Sequence, residues 1–167
     1  MQKFIVSNSA DAQRIAKKFQ AKILRAQLIF LRGDLGSGKT HFVKCLAKVL
    51  GIEEVVISPS FQLAKEYKIS VKSPKKKLVH IDLYRLPELK SSIDFPELFD
   101  YLSDRKNLVI VEWGERAKNV VAPDLIFEFE NHQREFSISC SNTIELNQKA
   151  KSKKQKQILK CKNIFNF

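Results

Sequence analysis

Gly33-Asp34-Leu35-Gly36-Ser37-Gly38-Lys39-Thr40 is the stretch that decides the fold of this chain. An apolar run of strand length at 28–31 leads directly into it, and an amphipathic helical pattern follows at 42–50. The octet matches G-x-x-x-x-G-K-[ST] in full, and three of the five glycines of the whole sequence lie inside it. A strand, a glycine-rich turn and a helix in this order predict a phosphate-binding loop.

The residue types of the octet explain how it would hold a nucleoside triphosphate with Mg²⁺. Glycines reach backbone angles closed to other residues, so successive N–H groups can turn towards phosphate oxygens. The following helix adds the partial positive charge of its N-terminus. We therefore predict nucleotide contacts along residues 33–41. Lys39 is placed to reach the β- and γ-phosphates, and the Thr40 hydroxyl is placed to bind Mg²⁺.

ATP hydrolysis also requires an acid that binds Mg²⁺ and a group that orients the attacking water, and two acidic residues are candidates for these roles. Asp82 follows the apolar run 78–81, and Glu112 follows the apolar run 108–111. Ligands gather at the carboxyl ends of strands in open α/β sheets, so both acids are candidates. We favour Glu112 as the acid beside Mg²⁺ and Asp82 as a second acid acting on water or on switch geometry; Asp82 is the alternative metal ligand. Ser60, in the loop Ser58-Pro59-Ser60, is the predicted switch hydroxyl.

The remaining pattern predicts an α/β domain with a P-loop NTPase-like fold. We expect a short strand at 4–6, a helix that runs to about residue 20, an exposed hairpin turn or loop at 70–77 and a helix within 88–102, at least from Phe95 onwards. Residues 125–129 and 134–138 alternate with period two around 130–133, which indicates a late antiparallel hairpin. The central sheet is predicted to be mostly parallel and flanked by helices.

Charge is distributed unevenly along the 167 residues. The formal net charge is +12, and the segment from Lys149 onwards holds seven lysines and no acid. We divide the chain into a nucleotide-binding domain at 1–148 and a basic tail or short helix at 149–167. The tail is either a solvated terminus or a contact for RNA or an acidic protein. No apolar run is long enough to cross a membrane, no secretory signal is visible and three scattered cysteines form no framework, so a cytoplasmic setting is expected.

Four blocks of sequence resemble the bacterial TsaE (YjeE) family of P-loop ATPases. They are the octet at 33–40, Ser-Pro-Ser-Phe at 58–61, His-Ile-Asp-Leu-Tyr-Arg at 80–85 and Glu112-Trp113, and their order covers about residues 5–140. The resemblance implies a weak Mg²⁺-dependent ATPase acting with TsaB and TsaD proteins, which modify the adenosine beside the tRNA anticodon with a threonylcarbamoyl group. ATP hydrolysis would reset that complex.

The resemblance also implies roles for single residues, with three departures from the family pattern. Lys39 and Thr40 would serve the phosphates and Mg²⁺, Ser60 would stand in the first switch loop, Asp82 in the second block and Glu112 beside Mg²⁺. The three departures are at positions 37, 41 and 60. The family usually has Ala where Ser37 stands, Thr or Ser where His41 stands, and Thr where Ser60 stands. Candidates for the adenine side are Ser9 and Arg134.

Two other functions remain as alternatives. A small-metabolite kinase would need an Arg-bearing lid, but the basic cluster at 72–77 consists only of lysines. A nucleic-acid-binding module driven by the tail would leave the octet and both acids unexplained. A GTPase is disfavoured because no Asn-Lys-x-Asp or Thr-Lys-x-Asp motif occurs.

Overall fold

Seven strands form one mixed sheet in the computed structural model, which describes residues 2–132 and 135–142. The strands are β1 (Gln2–Val6), β2 (Leu28–Arg32), β3 (Ala64–Lys68), β4 (Lys77–Asp82), β5 (Asn107–Glu112), β6 (Leu125–His132) and β7 (Glu135–Asn142). The α-helices are α1 (Ser9–Arg25), α2 (Lys39–Val49) and α3 (Pro96–Ser103). Short 3₁₀ turns occur at Ser92–Asp94 and Gly114–Ala117.

The strand order is β1-β7-β6-β2-β5-β4-β3, with a parallel centre and antiparallel flanks. β6, β2, β5 and β4 pair in parallel, while β3, β7 and β1 join antiparallel. The central strands are runs of buried apolar residues because helices cover both faces of the sheet. The predicted fold class is confirmed, including the late hairpin, in which His132 pairs with Glu135.

Two apolar clusters lie on opposite faces of the sheet. α1 and α2 cover one face, where the rings of Phe19 and Phe42 pack on Phe127 at centroid distances of 5.5 and 5.0 Å. α3 and the turn after β5 cover the other face, around Phe30 and Leu98. β2 contributes residues to both clusters, so the loop that follows it leaves from a strand that is buried on both faces.

The first helix is longer than its sequence pattern predicted. It begins after Asn8, whose side chain accepts a hydrogen bond from Asp11 N at 3.0 Å, and it ends at Arg25 rather than near residue 20. Ile23 is completely buried in the last turn. The apolar spacing continues through this turn, since Ile23 follows Phe19 at an interval of four residues, so the predicted end was one turn too early.

The segment predicted as an exposed loop at 70–77 is only partly exposed, since Lys77 belongs to β4 and Lys75 is buried. Lys75 is 5% exposed, and its ammonium donates to the carbonyl oxygens of Arg105 and Asn107 at 2.8 and 2.9 Å. Desolvation lowers the pKa of Lys75.

Arg134 and the segment 149–167 lie outside the described residues, so the division at 148 stays a prediction. Within the described ranges, the helices are too short or too polar to span a bilayer.

Gly114 is required because the chain after β5 runs against Phe30. A Cβ at position 114 would lie 2.3 Å from Cγ and 2.5 Å from Cβ of the fully buried Phe30. We expect Gly114→Ala to lower the free energy of unfolding by about 1–3 kcal/mol through overpacking. Denaturant unfolding measures this decrease.

The double variant Gly114→Ala with Phe30→Ala is the control. Alanine lacks the Cγ that would lie 2.3 Å from the new methyl group, so the double variant should be destabilised by less than the sum of the two single effects, by a margin of more than about 0.5 kcal/mol. Strict additivity would contradict the steric explanation.

Candidate nucleotide-binding site

The loop between β2 and α2 has the backbone that its glycines make possible. Gly33 has φ +135°, and a Cβ there would lie 2.3 Å from the carbonyl oxygen of Phe129. Gly38, directly before α2, has φ +95°. A side chain is therefore excluded by contact at Gly33 and disfavoured by conformation at Gly38. The loop delivers the N-terminus of α2 to the carboxyl edge of the parallel strands.

Lys39 is folded back over this loop. It is 4% exposed, and Nζ donates to the carbonyl oxygens of Gly33 and Asp34 at 2.6 and 2.8 Å. Nζ also lies 4.3 Å from the ring centroid of Trp113. Desolvation lowers the pKa of Lys39, although nearby carboxylates, Glu112 first among them, act in the opposite direction. The ammonium is thus held at the loop without a direct carboxylate partner among the described residues.

Glu112 joins the start of α2 to the end of β5. The Thr40 hydroxyl donates to Glu112 Oε2 at 3.0 Å, and His80 Nε2 lies 2.8 Å from Oε1. Glu112 is 3% exposed and His80 is fully buried. With the carboxylate ionised, Nε2 must donate, which leaves Nδ1 of His80 buried without a partner among the described residues. Both carboxylate oxygens therefore have fixed positions.

Asp82 holds the loop that contains Ser58 and Ser60. Its Oδ2 accepts hydrogen bonds from Ser58 Oγ at 3.1 Å and from Ser60 Oγ, and the two hydroxyls lie 2.7 Å apart. Its Oδ1 accepts from the backbone N–H of Tyr84 at 2.9 Å. One carboxylate thereby ties the predicted switch loop to the end of β4.

The sheet register brings the two acids together. β4 and β5 run parallel, and Asp82 pairs with Glu112 at their carboxyl ends. Glu112 lies beside the Thr40 hydroxyl, whereas Asp82 lies beside the switch hydroxyls. The predicted division between a metal-side acid and a switch-side acid agrees with these contacts and remains a prediction about chemistry.

Two adjoining cavities meet at the loop. One of about 250 Å³ is lined by the loop, both acids, Ser58, Ser60, Tyr84 and Trp113. The other, of about 330 Å³, lies against the start of α1 and is lined by Val6, Ser7, Asn8, Ser9, Ala12 and Ile138. Gly36, Ser37, Gly38 and His41 line both. The two cavities together could hold a ligand whose charged end lies beside Lys39 and whose less polar end lies at the start of α1.

Trp113 forms one wall of the smaller cavity in an unusual backbone conformation. It has φ +57°, and its ring lies 5.2 Å from that of Tyr84 and 5.5 Å from the Arg116 guanidinium. Left-handed backbone is uncommon for a bulky residue and is held here by its surroundings. The adjacent close approach of Gly114 to Phe30 fixes the chain on one side.

Most sequence-predicted site residues converge at these cavities. Leu35, Ser37, Thr40 and His41 line the smaller one, while Ser9 lines the larger one. Asp34 contributes its carbonyl to Lys39. Arg134 lies outside the described residues.

Sequence reasoning used His80 only as part of a block and missed its contact. His80 and Asp82 alternate with Ile81 on one strand, so both side chains point to the same face of β4. That period-two spacing was the one sequence signal that His80 lies on the same face as the acid Asp82. It could not name Glu112 as the partner, because the β4–β5 pairing is a property of the fold. Ser58 and Tyr84 likewise became visible only through their bonds to Asp82.

Comparisons with known proteins agree with the residue blocks. The family model described as "Threonylcarbamoyl adenosine biosynthesis protein TsaE" matches residues 6–155. The chain is 36% identical over 132 residues to the tRNA threonylcarbamoyladenosine biosynthesis protein TsaE of Aquifex aeolicus, spanning 78% of this chain and 87% of that protein. It is 35% identical over 107 residues to the protein of the same name in Bacillus subtilis, spanning 64% and 63%.

A solved structure shares the fold. The crystal structure of Bacillus subtilis YdiB superposes with a TM-score of 0.60 at 26% identity, covering 82% of each chain. Together with the glycine loop, the strand-end acids and the family match over most of the sequence, this similarity shows that the chain belongs to the TsaE family.

Proposed function

We propose that this protein is a Mg²⁺-dependent ATPase that drives or resets the complex making threonylcarbamoyladenosine in tRNA. One observation carries the proposal: the Thr40 hydroxyl and the Glu112 carboxylate meet at 3.0 Å beside a glycine loop. A P-loop hydroxyl paired with an acid at a neighbouring strand end is the arrangement that holds Mg²⁺ in P-loop NTPases.

The donor set fits Mg²⁺ better than other metals. Mg²⁺ prefers oxygen ligands and is held by one or two protein groups together with phosphates and waters. The described residues contain no group of three or more His, Cys, Asp or Glu side chains that could hold a metal ion by themselves. Thr40 and Glu112 would be the protein's share, with Asp82 as the alternative ligand. When bound, Mg²⁺ would neutralise charge on the phosphate oxygens.

The phosphate end of ATP would lie in the cavity of about 250 Å³. Lys39 would exchange its contacts with loop carbonyls for the β- and γ-phosphates, where a full negative charge is the stronger acceptor. Asp82 and the Ser60 hydroxyl would orient the attacking water or hold the switch loop in its hydrolytic position. His80 would act as a positioning residue that fixes the direction of the Glu112 carboxylate.

The nucleoside end would occupy the cavity of about 330 Å³ at the start of α1. Ser9 lines this cavity, and His41 borders both cavities, so His41 would contact the ribose or the α-phosphate side. An imidazole replaces the small hydroxyl usual in the family at this position. Arg134 remains a proposed adenine-side contact.

The pathway assignment rests on the family and its named relatives. Two relatives carry names that place them in tRNA threonylcarbamoyladenosine biosynthesis. For this chain we infer partners of the TsaB and TsaD type, a cytoplasmic location and an ATPase domain at 1–148. The lysine-rich segment 149–167 would add a contact to tRNA.

ATP hydrolysis measured with and without the cognate TsaB and TsaD proteins tests the function. We expect weak hydrolysis alone and strong stimulation by the pair, because the proposed role is partner-dependent. Lys39→Ala should abolish tight ATP binding and both activities, since it deletes a phosphate charge contact. Lys48→Ala, on the exposed side of the same helix, is the matched control. Retained ATP affinity in Lys39→Ala would rule out the phosphate-loop assignment.

Single amide substitutions separate the two acids. Glu112→Gln should leave ATP binding in the absence of Mg²⁺ nearly unchanged and reduce Mg²⁺-dependent hydrolysis by about 10²-fold or more, because the charge beside the metal is removed. Asp82→Asn should act mainly through the switch loop, with a smaller decrease in this assay. Asp100→Asn, on the exposed surface of α3, serves as the control. If Asp82→Asn stops hydrolysis and Glu112→Gln does not, the assigned roles are reversed.

A further inference from the structure

The helices α1 and α2 carry more positive charge than the domain has in net, because residues 1–148 have a net charge of +5 and the two helices have +7. Together they hold eight Lys or Arg residues and one acid, Asp11. By contrast, residues 53–130 contain twelve basic and fourteen acidic residues. Lys39 alone among the eight is buried, in the nucleotide site; the exposed ones are Arg14, Lys17, Lys18, Lys22, Arg25, Lys44 and Lys48. We call these seven exposed side chains the basic face.

Helical spacing aligns four of these cations along α1 and two along α2. Arg14, Lys18, Lys22 and Arg25 follow one another at three- or four-residue intervals, so they form one stripe about 16 Å long on α1. Lys44 and Lys48 are four residues apart on α2, which packs beside α1 on the same face of the sheet. The basic face thus consists of exposed cations on two neighbouring helices, and none of the seven lines the nucleotide cavities.

Neutralising partners are scarce on this surface. Arg14 pairs with Asp11 at 2.8 Å. Among the described residues, the other six cations form no ion pair with an acid. Lys18 instead lies 4.6 Å from the ring centroid of Phe4. A surface of one sign with few counter-charges raises the local concentration of anions.

The composition of the basic face favours a phosphate backbone over a protein partner. Protein interfaces have an apolar centre and are depleted in lysine. Both helices are described in full, and every exposed large hydrophobic side chain lies elsewhere. Nucleic-acid backbones need only cations, because their affinity comes from neutralised phosphates and released counterions.

We propose that the basic face of α1 and α2 binds the phosphate backbone of folded RNA. The choice of tRNA as that RNA rests on the proposed function, whereas the surface itself does not. Contacts to phosphates fix position without reading sequence, so recognition would be by the shape and charge of the RNA. The basic face adds a site on the folded domain to the contact proposed for segment 149–167.

Binding of unmodified tRNA to the full-length chain across a range of salt concentrations tests this proposal. The variant has Lys17, Lys18, Lys22 and Lys44 changed to Gln, and its slope of log affinity against log salt should become shallower. The expected change is about 0.9 for each phosphate that a lysine no longer neutralises, up to about 3.6. An RNA hairpin unrelated to tRNA should show the same change, because phosphate contacts do not depend on sequence.

Three controls keep the result interpretable. Lys68, Lys72, Lys90 and Lys106, all exposed and off both helices, changed to Gln give the same net charge and should alter the slope by less than about 1. Arg at the four face positions should restore binding. ATP affinity and hydrolysis should match wild type in every variant, which separates this proposal from the proposed ATPase.

Equal weakening by the face and control variants would overturn the proposal, because net charge alone would then explain binding. An unchanged slope in the face variant would also overturn it and leave the basic face to an acidic protein surface or to solvent.

Discussion

The hydrogen bond from the Thr40 hydroxyl to the Glu112 carboxylate connects the two elements on which the candidate site depends. Thr40 stands in the first turn of α2, and Glu112 is the last residue of β5. His80 holds the second oxygen of the same carboxylate from β4. Three separate parts of the chain thus fix one oxygen pair, and the fixed position is what a metal-bound triphosphate requires of its protein ligands.

Much of this arrangement was predictable because its causes are local. The conformation of the octet at 33–40 depends on its own glycines. Position 33 has no room for a side chain, and Gly38 adopts a left-handed backbone. Strand ends were also readable, because Asp82 and Glu112 interrupt apolar runs. Strand neighbours were not readable: nothing local to β4 indicates that it pairs with β5. The contact between His80 and Glu112 and the bond from Ser58 to Asp82 became visible only in the folded chain.

The distribution of charge over the surface could likewise not be predicted from the net charge alone. Segment 149–167 holds seven of the twelve net positive charges, which leaves a net charge of +5 for residues 1–148. The fold divides that remainder unevenly, because α1 and α2 expose seven cations while the region from 53 to 130 is almost balanced. The small net charge of residues 1–148 therefore conceals a group of exposed cations on the side of the sheet opposite α3.

The effect of Mg²⁺ on ATP affinity in Thr40 variants tests the central claim most directly. Thr40→Ser keeps the hydroxyl, and Thr40→Val keeps the shape without it. If Thr40 and Glu112 hold the metal, Mg²⁺ strengthens ATP binding in wild type and in Thr40→Ser. In Thr40→Val this enhancement should fall by about tenfold or more, equivalent to about 1.4 kcal/mol. Undiminished enhancement by Mg²⁺ in Thr40→Val would contradict the assignment of the Thr40 hydroxyl to the metal.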